Sequence, residues 1–495
     1  MLKTLAVYLP QFHRVPENDA WWGEGFTEWT AVKGAEPLFE GHNQPRVPLD
    51  NNYYDLLEHD TMAWQADLMI KYCVDGMCIY HYWFEDGRRI LEKPAENLLK
   101  WKDIQMPFCF YWANETWARR WEKLQVANNW SDIYEVSQKA NERGILLKQS
   151  YGREKDWEEH FSYLLPFFQD ERYIKIDNCP VFIIYRPEDV FSLWDMADFF
   201  NTSAKKAGFQ GIYFIGAVMG SVGYGLDAVL EKQPDLRTDS YDKMWEMTLT
   251  NKIEKDCKTY FCANVDYDSS PRHGNKGFIM KGASPEKFYR YFKQLYKNSL
   301  YLNNDFVFIN AWNEWGEGMY LEPDETHRYG YLEALRRAVV ECRDEKERID
   351  SKELCINFYT EEEVLWKKWL QNSSRYSTLL HNWLCLKELS VDFSLYFQKY
   401  GYHRIAIYGI GRLGVHLLNE LCSKNVTVCF GIDKNNEHID CEMNVYHPDQ
   451  KIPEVDAVVI TIISQYREIS KLLRNNMKCP MIMIEEIVQE LMLMI

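Results

Sequence analysis

Eight short apolar runs, separated by stretches with helical spacing, are what most limits the fold of this 495-residue chain. The runs begin at Thr4 (TLAVYLP), Gly76 (GMCIYHYWF), Pro107 (PFCFYWA), Pro180 (PVFIIYR), Ile212 (IYFIGAV), Asp227 (DAVLE), Thr259 (TYFCANV) and Phe306 (FVFINAW). Continuous apolar strands alternating with helices belong to a parallel sheet buried on both faces. The helical patterns cover Asp60 to Tyr72, Leu193 to Lys206, Pro285 to Leu300 and Tyr329 to Arg343, and the third opens on Ser284-Pro285, an N-cap and a first-turn proline. No glycine-rich phosphate loop follows the first run, so eight such units predict an α/β fold of the (β/α)8 barrel kind over residues 1–345, not an open doubly wound sheet. DAVLE is the weakest of the eight. The long segments Gln11 to Asp60 and Asn114 to Lys175 read as loops inserted at the face where such barrels carry their sites.

The pattern changes after residue 345. Fifteen of the 18 tryptophans precede that point. Residues 346–400 read as a helical connector with apolar positions at Leu365, Trp369, Leu379, Trp383 and Leu386. Residues 401–495 read as a small Rossmann-like α/β domain, because Gly409, Gly411 and Gly414 lie between an apolar strand and a helix and Asp433 ends the next strand. In a dinucleotide-binding unit such glycines allow a tight turn and close approach to phosphate, and the acid takes a ribose hydroxyl. A nucleotide or nucleotide-sugar at these four residues is one reading, and a docking or oligomerisation module is the other.

A net charge of −17 argues against nucleic acid and against an anionic membrane surface as partners. The 13 cysteines contain no C-x-x-C pair, so neither a zinc knuckle nor a disulfide framework is expected. The N-terminal apolar run is too short for a signal-peptide core, and no window approaches the ~20 apolar residues of a membrane span. A cytoplasmic location with no transmembrane segment is the expectation. The 12 histidines show no H-x-x-x-H pairing, which leads to metal-independent chemistry with no required cofactor. No G-x-S-x-G occurs to support a Ser-His-Asp hydrolase.

FVFINAWNEWGEGMYLEPD carries the candidate catalytic pair, Glu314 and Glu317, on a strand end beside Trp312 and Trp315. Those tryptophans offer flat faces to a sugar and are expected to raise one carboxyl pKa, separating an acid from a base. The plainer alternative pairs the glutamates with Arg328, Arg336 or Arg337. At the other strand ends stand Tyr8, Gln11 and His13; Tyr80, His81, Tyr82 and Trp83; Tyr111, Trp112, Asn114 and Glu115; Tyr185 and Arg186; Asp266 and Asp268; and Asn310 with Asn313. This aromatic and hydrogen-bonding mixture suits a saccharide better than a phosphate. A spacing of three residues is compatible with the ~5–5.5 Å carboxyl separation of retaining glycosidases and with the ~6.5–9.5 Å of inverting ones.

YLPQFH, WWGEGFTEW, GHNQPRVPLD, IYHYWF, FCFYWANETWARRW, RYIKIDNCPVFIIYRP, the run Asp268-Ser269-Ser270-Pro271-Arg272, and FINAWNEWGEGMYLEPD, in this order, resemble the WbsX-type proteins of bacterial surface-polysaccharide clusters. Those proteins are classed as glycosyltransferases and are similar in fold to endo-α-mannosidase-like hydrolases of glycoside hydrolase family 99. The resemblance implies a barrel and a retaining reaction through a 1,2-anhydro sugar, with Glu314 as base toward the 2-hydroxyl and Glu317 as general acid/base. By the same analogy Tyr8, His81 and Tyr82 line the −1 sugar site. The implied partners are an oligo- or polysaccharide and other polysaccharide-assembly enzymes. Transfer, endo-hydrolysis and non-catalytic glycan binding remain the competing functions.

Overall fold

The structure is a computed structural model that describes residues 1–118, 145–218, 226–232, 234–345, 354, 356–422, 424–435 and 443–494. Residues 119–144, within the inserted segment Asn114 to Lys175, lie outside the described residues. The chain forms two compact units, Met1–Glu188 with Ala197–Thr360, and Asp189–Met196 with Glu361–Ile495.

The first unit is a closed parallel barrel. Its strands are β1 (Lys3–Tyr8), β2 (Gly76–His81), β3 (Phe108–Trp112), β4 (Cys179–Ile184), β5 (Tyr213–Val218), β6 (Ala228–Glu231), β7 (Thr259–Tyr260 and Cys262–Asn264) and β8 (Phe306–Asn310). Each runs parallel to the next. The two halves of β7 make the last joins, Thr259 lying opposite Val229 on β6 and Cys262 opposite Phe308 on β8. The ring shuts where β8 meets β1, with Lys3 opposite Phe306 and Ala6 opposite Ile309. DAVLE therefore supplies a true barrel strand, Ala228–Glu231, short but fully buried.

These strands are apolar because both faces are covered. Leu5, Ala6, Met77, Ile183 and Val307 are completely buried, and each large side chain so placed contributes about 1.5–3 kcal/mol. The surrounding helices include His59–Lys71, Leu193–Lys206, Pro285–Tyr301 and Gly330–Glu345. Ser284 caps the third by accepting from the Lys287 amide.

The second unit holds a five-stranded parallel sheet, ordered Val445–Tyr446, Thr427–Ile432, Arg404–Tyr408, Ala457–Ile460, Met481–Met483. The stretch read as a connector contributes to this unit's own core, since Leu379, Trp383 and Leu386 of helix Glu361–Glu388 pack in one cluster with Ile405, Ile407 and Ile482. Gly409 turns the chain at φ +87°, and a Cβ on Gly414 would run into the Gly409 carbonyl oxygen. Among the described residues no helix is long and apolar enough to cross a membrane.

Candidate active site

The segment after β8 is a tight hairpin. Asn313–Glu314 pairs antiparallel with Met319–Tyr320, a 3-10 turn over Trp315–Glu317 lies between, and Gly318 closes it at φ +66°. Other parts of the barrel hold this loop. The Trp312 amide donates to the Val7 carbonyl (2.7 Å), and the Asn313 side chain accepts from Leu9 N (2.8 Å) and donates to Leu9 O (3.0 Å). Arg46 donates to Gly318 O at 3.1 Å, and the Asp268 amide donates to Glu317 O at 2.7 Å.

At its centre stands Arg272, on the short helix Ser270–His273. Its Nη2 donates to Glu314 Oε1 (2.5 Å), its Nη1 to Glu317 Oε1 (2.6 Å) and its Nε to Glu28 Oε1 (2.7 Å). All four side chains are buried. The hairpin wraps so closely around this cluster that a Cβ on Gly316 would collide with Glu28 Oε1 and lie 2.7 Å from Arg272 Nε. One guanidinium thus serves three carboxylates. Burial pushes the Glu314 carboxyl up to about 8, with Arg272 opposing and Glu317 and Glu28 adding to the rise. Burial also lifts Glu317, against Arg272.

Glu314, Glu317 and Arg272 open onto a cavity of about 330 Å³ at the C-terminal ends of the strands. Tyr80, Tyr82, Tyr111, Tyr185, Tyr267 and Trp117 supply its aromatic wall, and Gln11, Glu115, Glu231, Lys232 and Asn310 its remaining polar groups. Burial raises the pKa of all five tyrosines, so they stand as neutral hydroxyls. Gln11 Nε2 donates to the Tyr82 hydroxyl (3.1 Å), and Lys232 Nζ lies 3.9 Å from the Tyr185 ring centre.

The residues expected at the mouth divide by strand alternation. Gln11, Tyr82, Tyr111, Glu115, Tyr185, Asn310, Glu314 and Glu317 reach the cavity. His81 and Trp83, one position out of phase with Tyr80 and Tyr82, point instead toward helix Glu154–Phe168, where His81 Nε2 lies 2.9 Å from His160 Nε2 and Trp83 stacks on the His160 ring at 4.4 Å. Burial pushes His81 down to about 3. Trp112 packs against the same His160 and donates to Trp83 O. The Tyr8 hydroxyl donates outward to Gln65 Oε1 at 2.7 Å. Asn114 brackets the backbone of Arg186, accepting from its amide and donating to its carbonyl. Asp268 accepts from Gln44, His42 and the Ser270 amide. His13, Trp312 and Asn313 are buried off the cavity wall.

Trp315 also departs from expectation. It stacks on Tyr320 at 3.7 Å and donates its indole N–H to Glu322 (2.7 Å), not to either member of the pair. Glu322 also accepts from Tyr54 and Gln65, and burial pushes it up to about 7. The rise at Glu314 and Glu317 comes first from burial, with neighbouring carboxylates adding to it. The cation is Arg272, not Arg328, Arg336 or Arg337. Tyr80, named at its strand end, reaches the cavity beside Tyr82. Sequence reading missed Arg272, Glu28, Tyr267, Trp117, Glu231 and Lys232 as site residues, and nothing in the spacing joins residue 28 to residue 272.

In the second unit Gly411 has open space where a Cβ would stand. Asp433 does not stand clear of the loop, because its Oδ2 accepts from the Ile410 amide (3.0 Å) and its Oδ1 from the Asn435 amide (2.9 Å).

Residues 4–335 match the family model described as glycosyltransferase WbsX. The chain belongs to this family. Among individual proteins, the WbsX-family chain is similar to WxcX from two strains of Xanthomonas campestris pv. campestris, 32% identical over 378 residues. That match covers 71% of this chain and 52% of the relative, so the chain spans about half the length of the curated relatives it matches. Among solved structures it is similar to the family 99 endo-α-mannosidase from Bacteroides thetaiotaomicron, with 14% identity, TM-score 0.45, and coverage of 70% of this chain and 100% of the other. A glycoside hydrolase-like protein matches at 12% identity and TM-score 0.43 over 68% of this chain and 93% of its own.

Proposed function

We propose that this WbsX-family barrel makes a glycosidic bond in bacterial surface-polysaccharide assembly, with Glu314 and Glu317 as the reacting carboxylates. The observation that carries this reading is the pair of buried glutamates held on two nitrogens of one arginine and facing a tyrosine-walled cavity. A sugar ring meets apolar faces and neutral hydroxyl groups there, the two surfaces it presents itself.

In the first half-reaction Glu314 takes the proton of the sugar 2-hydroxyl. That oxygen attacks C1, the bond from C1 to the leaving oxygen breaks, and Glu317 gives its proton to the leaving oxygen. In the second, an acceptor hydroxyl opens the 1,2-anhydro ring at C1 and gives its proton to Glu317, while O2 recovers its proton from Glu314. A carboxylate lifted toward 8 is a stronger base than an ordinary one, as removal of a hydroxyl proton requires. The rise at Glu317 lets that residue keep a proton to donate. Water in place of the acceptor makes the same site an endo-acting hydrolase, so exclusion of water decides between the outcomes. In this reading the work takes place in the cytoplasm, beside other assembly enzymes and without a metal. A nucleotide-sugar donor would give the Gly409 to Gly414 loop of the second unit its use.

The test incubates the protein with surface-polysaccharide repeat units, with and without nucleotide-sugars, and follows products by mass spectrometry beside Glu317→Gln. Lengthened glycans that require a donor are expected, with loss of about 10²–10⁴-fold in the variant. Shortened glycans would make the enzyme a hydrolase, and unchanged turnover in the variant would remove Glu317 from the chemistry.

A further inference from the structure

Glu28 sits at the start of helix Glu28–Lys33, 244 residues from Arg272 in sequence, yet accepts from its Nε at 2.7 Å with both side chains buried. We propose that Glu28 is a positioning residue for the glycosidic reaction: it fixes the plane of the Arg272 guanidinium so that each terminal nitrogen holds one reacting carboxylate, and its own charge prevents Arg272 from neutralising both. The inference rests on the reading of Glu314 and Glu317 given above.

The argument is geometric. A guanidinium is a planar fork, and fixing its Nε fixes where the two terminal nitrogens point. Glu28 Oε1 lies against the edge formed by Nε and Nη2, 2.7 Å from each, so Nη2 is shared with Glu314 while Nη1 is left to Glu317. The clash that any side chain at position 316 would make with Glu28 Oε1 and Arg272 Nε shows that the hairpin is moulded to this ion pair.

Charge completes it. Burial raises both carboxyls of the pair, and Arg272 opposes that rise at each. A third anion on the same cation consumes part of that stabilisation, so a proton stays on the reacting pair. The other titratable groups on the cavity wall are Tyr80, Tyr82, Tyr111, Tyr185, Tyr267, Glu115, Glu231 and Lys232. The tyrosines remain uncharged, and Glu28 is in direct contact with Arg272 beside the pair.

The test reads the carboxyls without any substrate. Protein labelled with carbon-13 at the glutamate carboxyls is titrated by NMR, and the signals of the pair are identified by their loss in Glu314→Gln and Glu317→Gln. Glu28→Gln, which keeps shape and an acceptor oxygen, should move both titrations down by about one pH unit or more. Arg272→Lys, which keeps the charge and loses the fork, should move them up. Opposite displacements are not what general loosening produces. Titrations unmoved in the folded variants, or moved in the same direction, would overturn the assignment, and either variant decides if the other does not fold. Because no turnover is measured, this result can fail while Glu317→Gln still abolishes product, and can hold while the glycosidic reading falls.

Discussion

Glu314→Gln should cost activity and return stability, by an amount that depends on pH. The Glu314 carboxyl is lifted from an ordinary 4.5 to about 8 in the folded protein. A carboxyl raised on folding contributes stability that is fully present below the unfolded value and is lost as pH rises through the folded one. At about 1.4 kcal/mol per pH unit, the gap corresponds to a loss of about 4 kcal/mol between pH 5 and pH 9. Glutamine does not titrate, so relative to the native protein the variant should gain about that much over the same interval. Urea unfolding followed by tryptophan emission measures it, and 15 of the 18 tryptophans precede residue 345, so the signal reports the barrel. Taking the difference between the two proteins at each pH removes the titrating groups that do not interact with Glu314. A difference flat to within about 1 kcal/mol would refute the raised carboxyl and with it the acid–base reading of the pair.

Two further outcomes follow from geometry. His81→Ala removes the partner of His160 and opens a void beside Phe110 and Tyr163, which should cost about 2–4 kcal/mol in urea unfolding while leaving KM for the saccharide unchanged. In the second unit, Gly414→Ala drives a Cβ into the Gly409 carbonyl and should destabilise by about 1–3 kcal/mol, whereas Gly411→Ala meets open space and should stay within about 1 kcal/mol. Hydrogen exchange over Arg404 to Ile432 in the full chain distinguishes them.

Much of the architecture was legible because burial on both faces leaves a direct trace in composition. Every one of the eight apolar runs, DAVLE included, became a barrel strand. The candidate pair was legible because two carboxylates and two tryptophans do not crowd a strand end for packing alone. What failed was direction. Consecutive residues at a strand end point to opposite sides, so Tyr80 and Tyr82 face the cavity while His81 and Trp83 join the layer beneath the helices. The tryptophan-flanked motif misled in the same way, since the Trp315 indole serves Glu322. Arg272 and Glu28 were invisible for another reason, because they meet only through closure of the ring and no local period records a contact between distant parts of the chain.

The bonds from Asn313 to both backbone groups of Leu9 span 304 positions, and they lie where the last strand meets the first. The hairpin that carries the glutamates is therefore also the seam of the barrel. Contacts of such long range form late, after local helices and neighbouring strands have already paired. A chain still emerging from the ribosome carries Glu28, then Arg272, as separate and harmless charges. They come together only when the seam closes, so an opening at that seam would separate the cluster.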